Sequence, residues 1–257
     1  MNNPTDQKLI LITNDDGYTA QGIHELTQLM APLGEVVVVA PDSARSGAGC
    51  SITPTLPVTL RLVEEREGVT VYSCSGTPVD CIKLATEQCV PRTPDLIVSG
   101  INHGENASVS LHYSGTMGAV IEGCIKGIPS IGYSLRTLSK ECDFSPYREV
   151  VRRVAEQVLQ HGLPELTCLN VNFPEVEALK GTKVGRMARG LWTGEWAEAN
   201  HPHGQQCYWL TGQFNNLEPE ADDTDYWALD HGYAAVTPIH LDMTNHAYLN
   251  TLKQALE

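Results

Sequence analysis

The sequence predicts an α/β fold: a doubly wound core on a mostly parallel sheet. Three observations predict it. Short aliphatic, β-branched runs recur at 9–12, 36–40, 95–98 and 130–135, as expected of strands covered on both faces. Helical patterns separate them, so successive strands are joined by crossovers of β-α-β type. Several of these strands run without a linker into polar or acidic residues. In open α/β sheets, ligands bind beyond the carboxyl ends of strands.

The first run is Leu9-Ile10-Leu11-Ile12-Thr13-Asn14-Asp15-Asp16-Gly17. Neighbouring strand residues point to opposite faces, so two adjacent acids inside a strand could not share a ligand. Gly17 permits a sharp turn, after which Asp15 and Asp16 can converge. Two carboxylates forced together need a proton or a cation between them. An oxygen-only pair suits Mg²⁺ or Mn²⁺. The plain alternative is an acidic cap on the next helix.

An amphipathic helix is expected over 22–32, with Ile23, Leu26, Leu29 and Met30 on one face, and a strand over 36–40. The loop Ser43-Ala44-Arg45-Ser46-Gly47-Ala48-Gly49 then lies on the same rim as Asp15. It either presents N–H groups and hydroxyls to an anion or is a solvent loop. Alternation over 57–75, with a turn at 64–68, predicts an antiparallel hairpin or arm. Gly76-Thr77-Pro78 starts a helix reaching about residue 88. A strand at 95–100 ends in Ile101-Asn102-His103-Gly104. A helix follows from Ser114-Gly115-Thr116, whose N-terminal N–H groups favour phosphate. A strand at 130–135, a helix at 146–161, strands at 166–173 and 233–238, and a helix at 246–256 complete the pattern. The stretch from 185 to about 230 reads as irregular. The chain is expected to form a single domain, with a core at about 8–175 and an irregular, oligomer-forming region at about 185–257.

Composition narrows the function. The 257 residues carry a net charge of -14, which disfavours binding duplex nucleic acid through its phosphates. No run is long and apolar enough to span a bilayer. The polar segment at 1–8 shows no secretion signal. Eight scattered cysteines without a Cys-x-x-Cys pair read as reduced thiols. A cytoplasmic location is therefore expected. Neither a Gly-x-Gly-x-x-Gly nor a Gly-x-x-x-x-Gly-Lys-Ser/Thr motif is present.

Three strand ends thus offer oxygen ligands: Asp15 and Asp16, then Ser46, then Asn102. They form a candidate Mg²⁺ or Mn²⁺ site. His103 and His112 flank it as general-acid candidates or as ordinary loop residues. His201 and His203 read as a solvated pair or a weak metal site. Trp192, Trp196, Trp209 and Trp227 read as packing or interface residues. Asp222-Asp223-Thr224-Asp225 reads as a solvated acidic turn or a second cation site.

Six ordered motifs, Thr13-Asn14-Asp15-Asp16-Gly17, Ala40-Pro41-Asp42, Arg45-Ser46-Gly47, Gly76-Thr77-Pro78-Val79-Asp80-Cys81, Ser99-Gly100-Ile101-Asn102-His103-Gly104 and Tyr113-Ser114-Gly115-Thr116, resemble the SurE family. These are metal-dependent 5′/3′-nucleotidases. The resemblance implies a Rossmann-like three-layer α/β/α sandwich, with a hairpin or C-terminal segment exchanged between subunits of a homodimer or homotetramer. It implies one Mg²⁺ or Mn²⁺ held by Asp15, Asp16, Ser46 and Asn102. The expected reaction is hydrolysis of a nucleoside monophosphate by an activated water. Asp15 and Asn102 are the catalytic candidates, Asp15 as the base. Asn14, Arg45, Gly47, Ser114, Gly115 and Thr116 are the phosphate- and substrate-binding candidates. Two alternatives stand beside this reading: a phosphatase with an aspartyl-phosphate intermediate, and a non-catalytic nucleotide sensor.

Overall fold

A computed structural model of the chain describes residues 7–137, 139 and 141–257. The polar N-terminal segment falls, for residues 1–6, outside the described residues.

The expected strands, joined by a short strand at 182–184 that the sequence did not announce, assemble into one nine-stranded sheet. In chain order they are β1 (Leu9–Thr13), β2 (Glu35–Pro41), β3 (Leu60–Arg66), β4 (Val69–Cys74), β5 (Leu96–His103), β6 (Ser130–Arg136), β7 (Thr167–Pro174) and β8 (Thr182–Val184). The sheet is completed by β13 (Ala234–His240). The shorter strands β9 (Gly190–Thr193), β10 (Trp196–Asn200), β11 (Gln206–Leu210) and β12 (Gln213–Asn216) lie outside the sheet. The helices are α1 (Gln21–Met30), α2 (Pro78–Gln88), α3 (Gly115–Ile125), α4 (Arg148–His161), α5 (Asp225–Asp230) and α6 (His246–Leu256).

Strands β4-β2-β1-β5-β6-β7 are mutually parallel and lie side by side in that spatial order. Growth runs one way from β1 to β4 and the other way from β5 to β7, so the topology switches between β1 and β5. Strands β3 and β13 add antiparallel edges to this block.

The alternation of β1 shows why the sheet is covered twice. Ile10 and Ile12 join a cluster with Ile23 and Leu26 of α1 and with Val151 of α4. Leu9 and Leu11 face the other way, onto Ile82 of α2 and Ala119 of α3. All five β1 side chains are buried. Burying each of its aliphatic side chains contributes about 1.5–3 kcal/mol. The result is the expected three-layer α/β/α arrangement.

Several expectations need correction. The first helix ends at Met30, and a 3-10 turn, Ala31–Leu33, carries the chain into β2. Pro32 has no N–H to continue an α-helical ladder. The expected hairpin at 57–75 is present, but it is not a free arm: β4 pairs with β2 and seats the hairpin on the sheet edge. The region read as irregular contains the real arm. Strand β9 pairs with β12, and β10 pairs with β11, in one antiparallel ribbon that bends at Gly194 and Gly212. Its alternation was masked because most of its apolar side chains have no core beneath them. Trp196, Trp209 and Leu210 are exposed. Helix α6 likewise buries none of its residues within the chain. No helix among the described residues is long and apolar enough to cross a membrane.

Candidate active site

The site sits at the topological switch point. Strand β1 ends with Thr13 and delivers Asn14, Asp15 and Asp16; β5 delivers Asn102 and His103 beside them. Gly17 turns the chain at φ +98°. The Asn14 side chain clamps that turn. Its Nδ2 donates to Gly17 O at 2.9 Å, and its Oδ1 accepts from Gly17 N at 3.1 Å. Asn14 is fully buried, so its amide shapes the acidic turn and is not presented to substrate.

Asp15 is buried, and both of its neighbours on α3 press on it. The Thr116 hydroxyl donates to Asp15 Oδ1 at 2.5 Å. A Cβ placed on Gly115 would stand 2.8 Å from Asp15 Cβ and 3.0 Å from Oδ2. Burial, joined by the charge of Asp16, raises the Asp15 pKa to about 6, against the lowering pull of the Thr116 hydroxyl and N–H. Asp16 is held from another side. Its Oδ2 accepts the His103 N–H at 3.2 Å and lies 3.3 Å from His103 Nδ1. Asn102 Nδ2 donates to Gly104 O at 2.8 Å, which leaves its Oδ1 for a ligand.

Asp15, Ser46, Gly47, Asn102 and Ser114 meet around one cavity of about 540 Å³. Ser46 reaches it because Arg45 N–H donates to Asp15 O at 2.7 Å, tying the loop after β2 to the acidic turn. Ser114 accepts the Met117 N–H and caps α3. Ser110 also lines the cavity, and its hydroxyl is buried with no hydrogen-bond partner among the described residues.

Other candidates are placed differently. The Arg45 guanidinium bonds Ser75 O at 2.8 Å and does not line the cavity. Gly115 and Thr116 stand behind Asp15 rather than on the cavity wall. His112 is exposed and outside the cavity. His201 and His203 sit in the exposed turn between β10 and β11. Of the four tryptophans, Trp192 lines the cavity.

The acidic stretch 222–225 is not a solvated turn throughout. Asp223 pairs with Arg186 at the surface. Asp225 is 1% exposed and accepts N–H bonds from Ser108, Ala188 and Tyr226. Burial raises its pKa. It thereby joins the loop on the cavity wall to the base of the arm. A second network was also missed: Asn106 N donates to Asn172 Oδ1, Asn106 Nδ2 to Ser134 Oγ, and Asn170 Nδ2 to Asn106 O. Two asparagines inside the apolar run Leu169-Asn170-Val171-Asn172 were the available signal, since buried amides need partners.

Residues 10–194 match the family model described as Survival protein SurE. The chain belongs to the SurE family. A relative from Phocaeicola vulgatus, named 5′-nucleotidase SurE, is 54% identical over 248 residues, covering 96% of each chain. One of the same name from Bacteroides fragilis is 52% identical over 245 residues, covering 95% of this chain and 96% of the other. Among solved structures, the SurE protein from Aquifex aeolicus superimposes with a TM-score of 0.82 at 37% identity, over 97% of this chain and 100% of that one. The matched range includes the segments gathered at the switch point: the Asp15-Asp16 turn, the Ser46 loop and the Asn102 strand end.

Among the described residues, no group of three or more His, Cys, Asp or Glu is placed to hold a metal ion. A cation in this SurE cavity would therefore rely on hydroxyl and amide oxygens as well as carboxylates. Asp15, Ser46 and Asn102 line the cavity, while Asp16, held by His103, is not among its lining residues. All four residues offer hard oxygens, suited to Mg²⁺ or Mn²⁺ with water completing the shell.

Proposed function

We propose that this chain is a divalent-metal-dependent nucleotidase that hydrolyses nucleoside monophosphates to nucleoside and phosphate. One observation carries the reading. The cavity at the switch point is lined by Asp15, Glu105 and Glu195 and, among the described residues, by no lysine or arginine. A phosphate dianion entering such a wall needs a cation to offset the carboxylates. The family, and relatives named 5′-nucleotidase, supply the substrate class.

The residues that would hold the cation are Asp15, Asp16, Ser46 and Asn102. When bound, Mg²⁺ or Mn²⁺ supplies positive charge to the phosphate and lowers the pKa of a water. Asp15, its carboxylate fixed by the Thr116 hydroxyl, positions the attacking water and serves as its base. The positive end of α3 begins directly behind Asp15 and favours anionic charge there. His103 holds Asp16 and is the nearer histidine for protonating the leaving oxygen.

Assay of phosphate release from AMP and GMP tests this. Release is expected with Mg²⁺ or Mn²⁺ and should disappear on adding EDTA. Metal-independent release, or none with any divalent ion, would refute the reading. The same proposal includes a homodimer or homotetramer. It is supported by the exposed Tyr248 and Leu256 on α6 and by Trp209 on the arm; light scattering in solution checks it.

A further inference from the structure

We propose that the arm carries the nucleobase subsite: Trp192 stacks on the base, and the Glu195 carboxylate accepts from its ring-edge N–H groups, which selects guanine. The inference rests on the nucleotidase reading and names its preferred substrate.

The cavity is chemically graded. Its buried lining includes the polar Asp15 and Asn102, while Tyr113 and Leu210 are exposed and Trp192 is half-buried. A volume of about 540 Å³ far exceeds what phosphate needs and falls in the range that binds whole small organic ligands. A nucleotide has the same gradation: an anion at one end and a flat apolar face at the other.

Trp192 is fixed before any ligand arrives. Its ring meets Phe214 edge-on, with centroids 5.9 Å apart. Phe214 stacks on Tyr226 at 4.2 Å. The Tyr226 hydroxyl donates to Glu105 Oε1 at 2.6 Å, and Glu105 lies on the cavity wall. A ring held this way loses little freedom when a base stacks on it.

Glu195 sits at the bend of the same ribbon. Its backbone is pinned, since Thr211 N–H donates to Glu195 O at 2.7 Å. Its carboxylate meets no donor among the described residues, while the Thr211 hydroxyl is engaged by Gly194 O at 3.1 Å. This part of the rim therefore offers acceptors. An ionised carboxylate accepts at two oxygens. Guanine presents two adjacent donors, N1–H and the 2-amino group; adenine has an unprotonated N1 beside its amine.

The test measures kcat/KM for GMP, AMP and ribose 5-phosphate with Mn²⁺, together with calorimetric binding of guanosine and adenosine. Wild type should prefer GMP to AMP and bind guanosine more tightly. Trp192→Ala should lose about tenfold or more on both nucleotides, in line with base-stacking contributions, and little on ribose 5-phosphate. Trp192→Phe should restore most of that loss. Glu195→Gln should abolish the preference for GMP. Equal losses on GMP and ribose 5-phosphate, or an unchanged preference in Glu195→Gln, would overturn the subsite. Absence of phosphate release from any substrate, with guanosine binding still dependent on Trp192, would refute the nucleotidase reading and leave the subsite standing.

Discussion

The Thr116 hydroxyl donates to Asp15 Oδ1 at 2.5 Å, and both side chains are buried. A threonine from the first turn of α3 thus fixes a carboxylate in the turn that follows β1. Hydrogen bonds to charged groups contribute about 1.5–3 kcal/mol. Thr116→Val should therefore lower kcat/KM on GMP by about tenfold to a hundredfold, and Thr116→Ser should retain most activity. Asp15→Asn should remove most turnover and leave the circular dichroism spectrum unchanged. Near-normal rates in either Thr116→Val or Asp15→Asn would contradict the role given to this pair.

Gly115 is the second contact on Asp15. An alanine there would put Cβ 2.8–3.2 Å from three Asp15 atoms. The acid must then move, and small misplacements of catalytic groups cost of order 100-fold in rate. Gly115→Ala should show that loss in steady-state kinetics, with a melting temperature close to wild type.

Asp225 is expected to matter for stability rather than chemistry. Asp225→Ala leaves three buried N–H groups, of Ser108, Ala188 and Tyr226, without their acceptor. The cost should be about 3 kcal/mol or more, read as a lower denaturant midpoint. Hydrogen exchange should rise first at the Ser108 and Ala188 amides. An unchanged midpoint would show that the arm and the cavity loop are held by other contacts.

Asp80 sets a pH dependence. It lies at the third position of α2 and closes a capping box with Thr77, while also accepting from the Thr53 N–H and hydroxyl. Burial pushes its pKa up, but these hydrogen bonds outweigh burial and lower it below the ordinary 3.8. A carboxylate depressed in the folded state stabilises above its unfolded pKa, and that contribution fades as pH falls through the folded value. Wild type should therefore be more stable than Asp80→Asn at neutral pH, with the gap closing below about pH 4. Urea midpoints at pH 7 and pH 3 measure it; a gap that widened at pH 3 would reverse the sign.

The hydrophobic pattern made the layers legible. Ile10 and Ile12 against Leu9 and Leu11 follow the two-residue strand period, so a sheet covered on both faces follows from burial alone. The same run announced the site, because carboxylates ending a buried strand need a reason. The arm was not legible, since a ribbon whose Trp196, Trp209 and Leu210 face outward has no inward stripe to read.

The sequence by itself determined the strand ends and, with them, the candidate oxygen set Asp15, Asp16, Ser46 and Asn102. Local chain chemistry places each of these at a strand end or in the loop that follows one. Only the tertiary structure decided how the other candidates are used. Asn14 shapes a turn, Arg45 bonds a carbonyl, Gly115 and Thr116 press on Asp15, and Trp192 comes from 90 residues beyond Asn102 to the same cavity. Those roles depend on which atoms of distant segments meet. Spacing along a chain carries no direct record of such contacts; packing across the switch point creates them.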